Sequence, residues 1–200
     1  MKYAVPDKDF VTPQDLAKRY GDFDPNVFNR WVQNGLLIKV RNGLYLTNFD
    51  YVKSEVDMFS LANRLYVPSY VSLQTALSYY SIIPEYAFEV ISISTRKTKE
   101  FTFQNVRYRY RTLKPEMFIG YERVKWRGRT YAIANREKAL VDYAYLEPQF
   151  NDPDWLEGQR FDADEITEMN WELIGRYGRL TDSDTVGKRL TNLMDVYDIR

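Results

Sequence analysis

The sequence holds no cysteine and no histidine. Disulfides, thiolate metal sites and thiol nucleophiles are thereby excluded. The commonest metal ligand and the commonest general base near neutral pH are missing too. Chemistry run on carboxylates stays open. Arg136-Glu137-Lys138 is the strongest such pattern, because nucleases pair carboxylates with a lysine around a metal. No strand-borne aspartate precedes it at a suitable distance, and Glu137 falls just inside a helix start, where an acid complements the helix dipole. Asp162-Ala163-Asp164-Glu165 lacks the glycine and ligand spacing of a calcium loop and also reads as a helix start. No glycine-rich phosphate loop occurs, nor a Gly-Ser followed by paired aspartates as a nucleotidyltransferase requires. The pattern points away from an enzyme and from any metal or cofactor.

Recognition is the better-supported chemistry. Asn26, Asn29, Arg30 and Gln33 lie opposite Val27, Phe28, Trp31 and Val32 when residues 26–33 are wound as a helix. Asn and Gln can bond adenine bidentately and Arg can bond guanine. An ordinary solvated helix face would carry the same residue types. Lys39, Arg41 and Asn42 follow on a hairpin, where such groups rest on phosphates; alternation with Val40 puts Lys39 and Arg41 on one face. Thr12 and Gln14 stand at another helix start and can bond a phosphate, although capping alone accounts for Thr12. Arg107-Tyr108-Arg109-Tyr110-Arg111 is the most basic stretch. As a strand it sets three arginines on one face and Val106, Tyr108 and Tyr110 on the other. With Arg96, Lys97, Lys99, Lys125, Arg127 and Arg129 it forms a possible surface for nucleic acid or a protein partner, or simply the wet face of a sheet packed on one side.

The elements that must position these groups follow from caps and periods. Thr12-Pro13-Gln14-Asp15 starts a helix that carries Leu16, Ala17 and Tyr20 and stops at Gly21. Asp24-Pro25 starts a second, ending near Asn34-Gly35. Two short helices joined this tightly fit a helix-turn-helix. Asn42-Gly43 between two β-rich runs is a strong hairpin signal. Ser54-Glu55-Val56-Asp57 opens a helix with Phe59, Leu61, Ala62 and Leu65, and Ser72 caps another with Leu73, Ala76, Leu77 and Tyr80. From Ala87 the period changes to two, predicting strands over 87–94, 101–103, 106–113, 118–126 and 130–133. Asn135 caps a helix through Tyr145, and the remainder is helical and acidic.

Three blocks resemble one family. Trp31-Val32-Gln33-Asn34-Gly35-Leu36-Leu37 with Lys39-Val40-Arg41-Asn42-Gly43-Leu44-Tyr45 resembles the winged-helix signature of AbiEi-type antitoxins. Ala62-Asn63-Arg64-Leu65-Tyr66 and Pro68-Ser69-Tyr70-Val71-Ser72-Leu73-Gln74-Thr75-Ala76-Leu77 resemble its second block, and Ala134-Asn135-Arg136-Glu137-Lys138-Ala139-Leu140-Val141-Asp142 its third. The blocks keep the family's order over roughly residues 10–146. The resemblance implies an antitoxin and transcriptional autorepressor of a type IV toxin–antitoxin system. Its N-terminal part would bind double-stranded operator DNA. Its C-terminal part would counteract a neighbouring nucleotidyltransferase-like toxin, by contact or at the toxin's target.

Bulk charge taken whole is poor for a nucleic-acid binder, and its distribution is more informative. The formal net charge of the 200 residues is zero, but residues 51–130 hold thirteen Lys/Arg against seven Asp/Glu, and residues 131–200 hold eight against fifteen. A polarised chain can keep one face on phosphate while another meets a protein. No apolar run approaches the ~18 residues of a membrane span. Met1–Phe10 has no apolar core of a signal peptide, so the expected compartment is the cytoplasm. The expectation is an α+β protein: a winged helix-turn-helix over residues 1–50, then an α/β body over 51–200 with a mostly antiparallel sheet and a helical acidic C-terminus. The rival readings are a plain winged-helix regulator with a ligand-sensing or dimerising body, a protein-interaction module, and a carboxylate-metal nuclease.

Overall fold

The computed structural model describes residues 3–47, 55–84, 89–126 and 128–199, apart from the side chains of 55 and 56. The chain is mixed α+β and divides into two compact units, Met1–Asp57 and Met58–Arg200.

The first unit runs β1 (Phe10–Val11), α1 (Pro13–Tyr20), α2 (Asn26–Gln33), β2 (Ile38–Arg41) and β3 (Leu44–Leu46). The three strands form one antiparallel sheet in the order β1-β3-β2. Thr12 starts α1 through a reciprocal capping box with Asp15, the third helical residue, and Gly21 ends it at φ 65°. Gly35, at φ 67°, follows the end of α2, and Gly43, at φ 75°, turns the hairpin. Both are backbone positions that a side chain disfavours. Val27, Phe28 and Trp31 face inward on a core shared with Val11, Leu16, Leu37 and Tyr45. The Phe28 ring stacks on Tyr45 at 4.5 Å and meets Trp31 edge-on at 5.7 Å. Aromatic pairs of this kind add to area burial, and they fix α2 to the hairpin.

From Met58 the second unit holds most of α3 (Glu55–Leu65), then β4 (Tyr70–Val71), α4 (Leu73–Tyr79), β5 (Glu89–Ser94), β6 (Lys99–Phe103), β7 (Val106–Thr112), β8 (Tyr121–Trp126), β9 (Arg129–Ala134) and α5 (Arg136–Leu146). Then come α6 (Pro153–Gly158), α7 (Ala163–Thr167), α8 (Trp171–Arg179) and α9 (Asp184–Val196). Its six strands lie in the order β6-β7-β5-β4-β9-β8. Three neighbouring pairs are antiparallel, while β4–β9 and β5–β7 are parallel. The parallel pairs and the two-residue strand β4 were not legible as periodicity. The strand expected from Phe118 begins at Tyr121, because Pro115–Met117 is a 3-10 turn and Gly120 bends at φ 73°. The expected helix opening at Ser54 and the strand start at Ala87-Phe88 lie outside the described residues.

Successive residues of β7 anchor opposite faces. Tyr110 donates its hydroxyl to the Ala62 carbonyl of α3 at 2.7 Å. Arg111 donates to the Leu146 carbonyl of α5 at 3.0 Å. Helix α5 also packs on α4, α8 and α9. Arg189 of α9 donates to the Ala144 and Tyr145 carbonyls near the end of α5, at 2.7 and 3.1 Å, so a cation satisfies the C-terminal dipole.

Candidate nucleic-acid interface

Asn26, Asn29, Arg30 and Gln33 are all exposed on α2, while Val27, Phe28 and Trp31 are buried behind them. The split follows from helical spacing. Arg30 is not loose on this face. Its guanidinium meets one Asp24 oxygen at 3.0 Å, and the other Asp24 oxygen accepts the Asn26 N–H at 2.9 Å. The Asn26 N–H bond first, then the Arg30 cation, hold the Asp24 carboxyl below its ordinary value. One acid thus accepts a backbone N–H at the helix start and pairs with the arginine. The sequence reading had Asp24 only as part of a helix start.

Thr12 is committed to its cap. Its hydroxyl donates to Asp15 at 2.8 Å, its N–H donates to the same carboxylate oxygen at 2.9 Å, and its oxygen accepts the Asp15 N–H at 3.3 Å. Lys8 closes the arrangement on Asp15 at 2.7 Å. Burial alone would raise the Asp15 carboxyl, but the bonds from Lys8 and Thr12 hold it below its ordinary value. The carboxylate therefore occupies the favourable anion position at the start of α1. Gln14 is exposed beside it.

Lys39 is exposed, and Arg41, half-buried, donates to the Asn42 carbonyl at 2.8 Å. A register shift between Lys39 and Arg41 marks a bulge in the hairpin. An extra residue breaks the two-residue repeat, so alternation through Val40 no longer places the two cations on one face. Asn42 is exposed at the turn.

The basic strand is built as read: Val106, Tyr108 and Tyr110 are buried and the arginines lie on the other face. Its charge is largely answered from within. Arg109 pairs with Glu89 at 2.9 Å, Arg107 pairs with Glu100 at 3.4 Å, and Arg111 is spent on Leu146. Arg129 is half-buried at the start of β9, and Arg127 lies outside the described residues. Arg96 and Lys97 are exposed between β5 and β6.

Arg136-Glu137-Lys138 is dismembered by the fold. Arg136 bonds Glu165 at 2.5 Å, Glu137 accepts the Asn170 N–H at 3.2 Å, and Lys138 turns inward. There its ammonium pairs with Asp142, one helical turn on, and donates to the Tyr70 hydroxyl at 3.1 Å. Asp142 also accepts from the Tyr70 and Ser72 hydroxyls, at 3.0 and 2.7 Å. All four side chains are sealed from solvent. Burial raises the Asp142 carboxyl against the pull of Lys138, and burial together with the Asp142 charge raises the Tyr70 phenol. Ser72, expected to cap α4, gives its hydroxyl to Asp142 instead, and the next residue, Leu73, sits at φ 52°. The sequence reading missed this network. Its one signal was a Lys and an Asp four residues apart, a spacing usual for solvated helix pairs. Among the described residues no group of three or more acids could hold a metal ion. An open cleft of about 980 Å³ beside α8 and α9, lined by residues such as Gly175, Arg179, Gly187 and Lys188, contains none of the predicted site residues.

Known protein families and curated proteins were compared with the chain, and none matches it. Among the described residues no helix is long and apolar enough to cross a membrane.

Proposed function

We propose that the first unit is a winged helix-turn-helix that binds double-stranded operator DNA, and that the protein is a transcriptional autorepressor. The observation that carries this reading is α2. Four exposed side chains able to contact base edges stand on a helix whose opposite face is locked by aromatic packing to a hairpin bearing Lys39 and Arg41. A helix of this kind reads the major groove with its first residues, and the wing rests on phosphates. Arg30, paired with Asp24, reads guanine; Asn26, Asn29 and Gln33 are matched to adenine.

The three sequence blocks that resemble AbiEi-type antitoxins extend the proposal. The body then counteracts a nucleotidyltransferase-like toxin, by contact or at the toxin's target, and the protein works in the cytoplasm without catalysis or cofactor. A plain regulator with a ligand-sensing or dimerising body shares the DNA-binding half of this reading.

Methylation interference on DNA from upstream of the gene tests it. Methylating guanine N7 blocks the major-groove edge that an arginine uses. The expected result is a small set of guanines whose methylation abolishes binding, at least one losing its effect in Arg30→Ala. Binding indifferent to guanine methylation and to Arg30 would overturn the reading.

A further inference from the structure

The unit that carries α2 has no excess of positive charge: residues 1–57 hold eight Lys/Arg and eight Asp/Glu. Affinity for duplex DNA rests mainly on neutralised phosphates, so a DNA-binding chain of this composition needs cations from elsewhere. The excess lies in the second unit. Much of it is answered there, since Glu89 and Glu100 face the arginines of β7.

The turn between β5 and β6 differs. Arg96, Lys97 and Lys99 give three exposed cations in four residues, and the backbone that carries them is braced from several sides. The Tyr66 hydroxyl donates to the Lys97 carbonyl at 2.8 Å, and the Thr112 hydroxyl donates to the Arg96 carbonyl at 2.8 Å. The Arg96 N–H donates to Ser94 Oγ at 3.2 Å, whose hydroxyl donates to the Pro68 carbonyl at 2.7 Å. The Arg96 guanidinium lies over the Tyr66 ring at 4.4 Å and donates to the Val67 carbonyl at 3.1 Å. Lys99 Nζ stands 5.9 Å from the Phe101 ring centre. A braced turn loses little conformational entropy on binding. Exposed lysines carried on such a backbone can reach phosphates.

We infer that the Arg96–Lys99 turn is a second nucleic-acid contact, holding backbone phosphates through Lys97 and Lys99 while Arg96 braces it. The inference rests on the DNA-binding reading of α2 and adds the sequence-independent part of the affinity.

The test titrates the full chain and its Lys97→Ala/Lys99→Ala variant on upstream duplex and on scrambled duplex across a salt series. Arg96 is kept because it supports the turn, and unchanged thermal unfolding shows that the variant is folded. Each phosphate contact contributes a slope of about 0.9 in log affinity against log salt, so losing two should lower the slope by about 1.8; between about 50 and about 200 mM salt the variant's affinity then falls about tenfold less than that of the parent. Both duplexes should weaken by the same factor, leaving their ratio intact. A variant matching the parent at every salt concentration would overturn the inference while Arg30→Ala still tests the parent reading. If the turn serves an acidic protein instead, the DNA slope stays and the inference falls. If the parent binds no DNA at all, both fall together.

Discussion

Asp24 and Arg30 are joined across the first turns of α2 by an ion pair of 3.0 Å, and the same carboxylate takes the Asn26 N–H. Six residues apart, they couple the start of the helix to the side chain best suited to read guanine. The ion pair draws the arginine toward the start of α2, and the acid beside it sets a repulsive background against phosphate.

Two substitutions separate these roles. Arg30→Ala should weaken binding to upstream DNA by about 5- to 150-fold, the range of a lost bidentate base contact of about 1–3 kcal/mol, and leave scrambled DNA much less affected. Asp24→Asn removes the repulsion and frees the guanidinium, so binding to scrambled DNA should tighten and the specificity ratio fall. Competition titrations on both duplexes measure the two effects.

The capping box makes the first unit acid-sensitive. The folded Asp15 carboxyl lies below its ordinary value of 3.8. A depressed carboxylate contributes stability that is present above 3.8 and is lost as pH falls through the lower folded value. Asp24 is depressed as well and acts in the same direction. Acid titration followed by circular dichroism should show Asp15→Asn less stable than the parent at neutral pH, the two converging in acid. A constant gap down to the acid limit would contradict this account of the cap.

The sealed pair in α5 predicts a strong asymmetry between single and double changes. Asp142→Asn leaves the Lys138 ammonium buried without a counter-charge, at a cost of about 3–5 kcal/mol, whereas an apolar double replacement of both partners should cost far less. Lys138→Met leaves Asp142, already raised by burial, without its cation. A carboxyl raised above 3.8 contributes its stability below 3.8 and loses it as pH rises through the folded value. Lys138→Met should therefore gain stability on mild acidification, read as a higher Tm near pH 4 than near pH 7 relative to the parent.

Gly120 closes over the same network. A Cβ there would stand 2.8 Å from the Tyr177 ring carbon and hydroxyl and 3.0 Å from Lys138 Cγ, on a backbone at φ 73°. Tyr177 is itself held by the Asn135 amide at 2.9 Å. Gly120→Ala should destabilise the body by about 1–3 kcal/mol, as overpacking does, measured by chemical denaturation.

Much of the architecture was readable because local chemistry decided it. Thr12 and Asn135 announce helix starts, and both side chains accept the bonds that their types suggest. Residues 106–111 alternate, and the alternation sorts buried Val106 and tyrosines from outward arginines. What was not readable depends on partners distant in sequence. Strands β1 and β4 are two residues long, too short to show a period, and exist because β3, β5 and β9 run beside them. The order that makes two pairings parallel is likewise set by packing. At the candidate site the exposed face of α2 follows from spacing, but the Asp24 clamp and the bulge beside Lys39 arise from three-dimensional contacts. Lys138 and Asp142 look like surface residues until Tyr70 and Ser72, some seventy positions earlier, are brought against them.

The most direct test is a mobility-shift titration of the full chain on duplex DNA from upstream of its gene, with scrambled competitor and Arg30→Ala in parallel. The account predicts a discrete complex that survives competitor for the parent and is lost or greatly weakened for the variant. Equal binding to both duplexes, or a complex indifferent to Arg30, would contradict it.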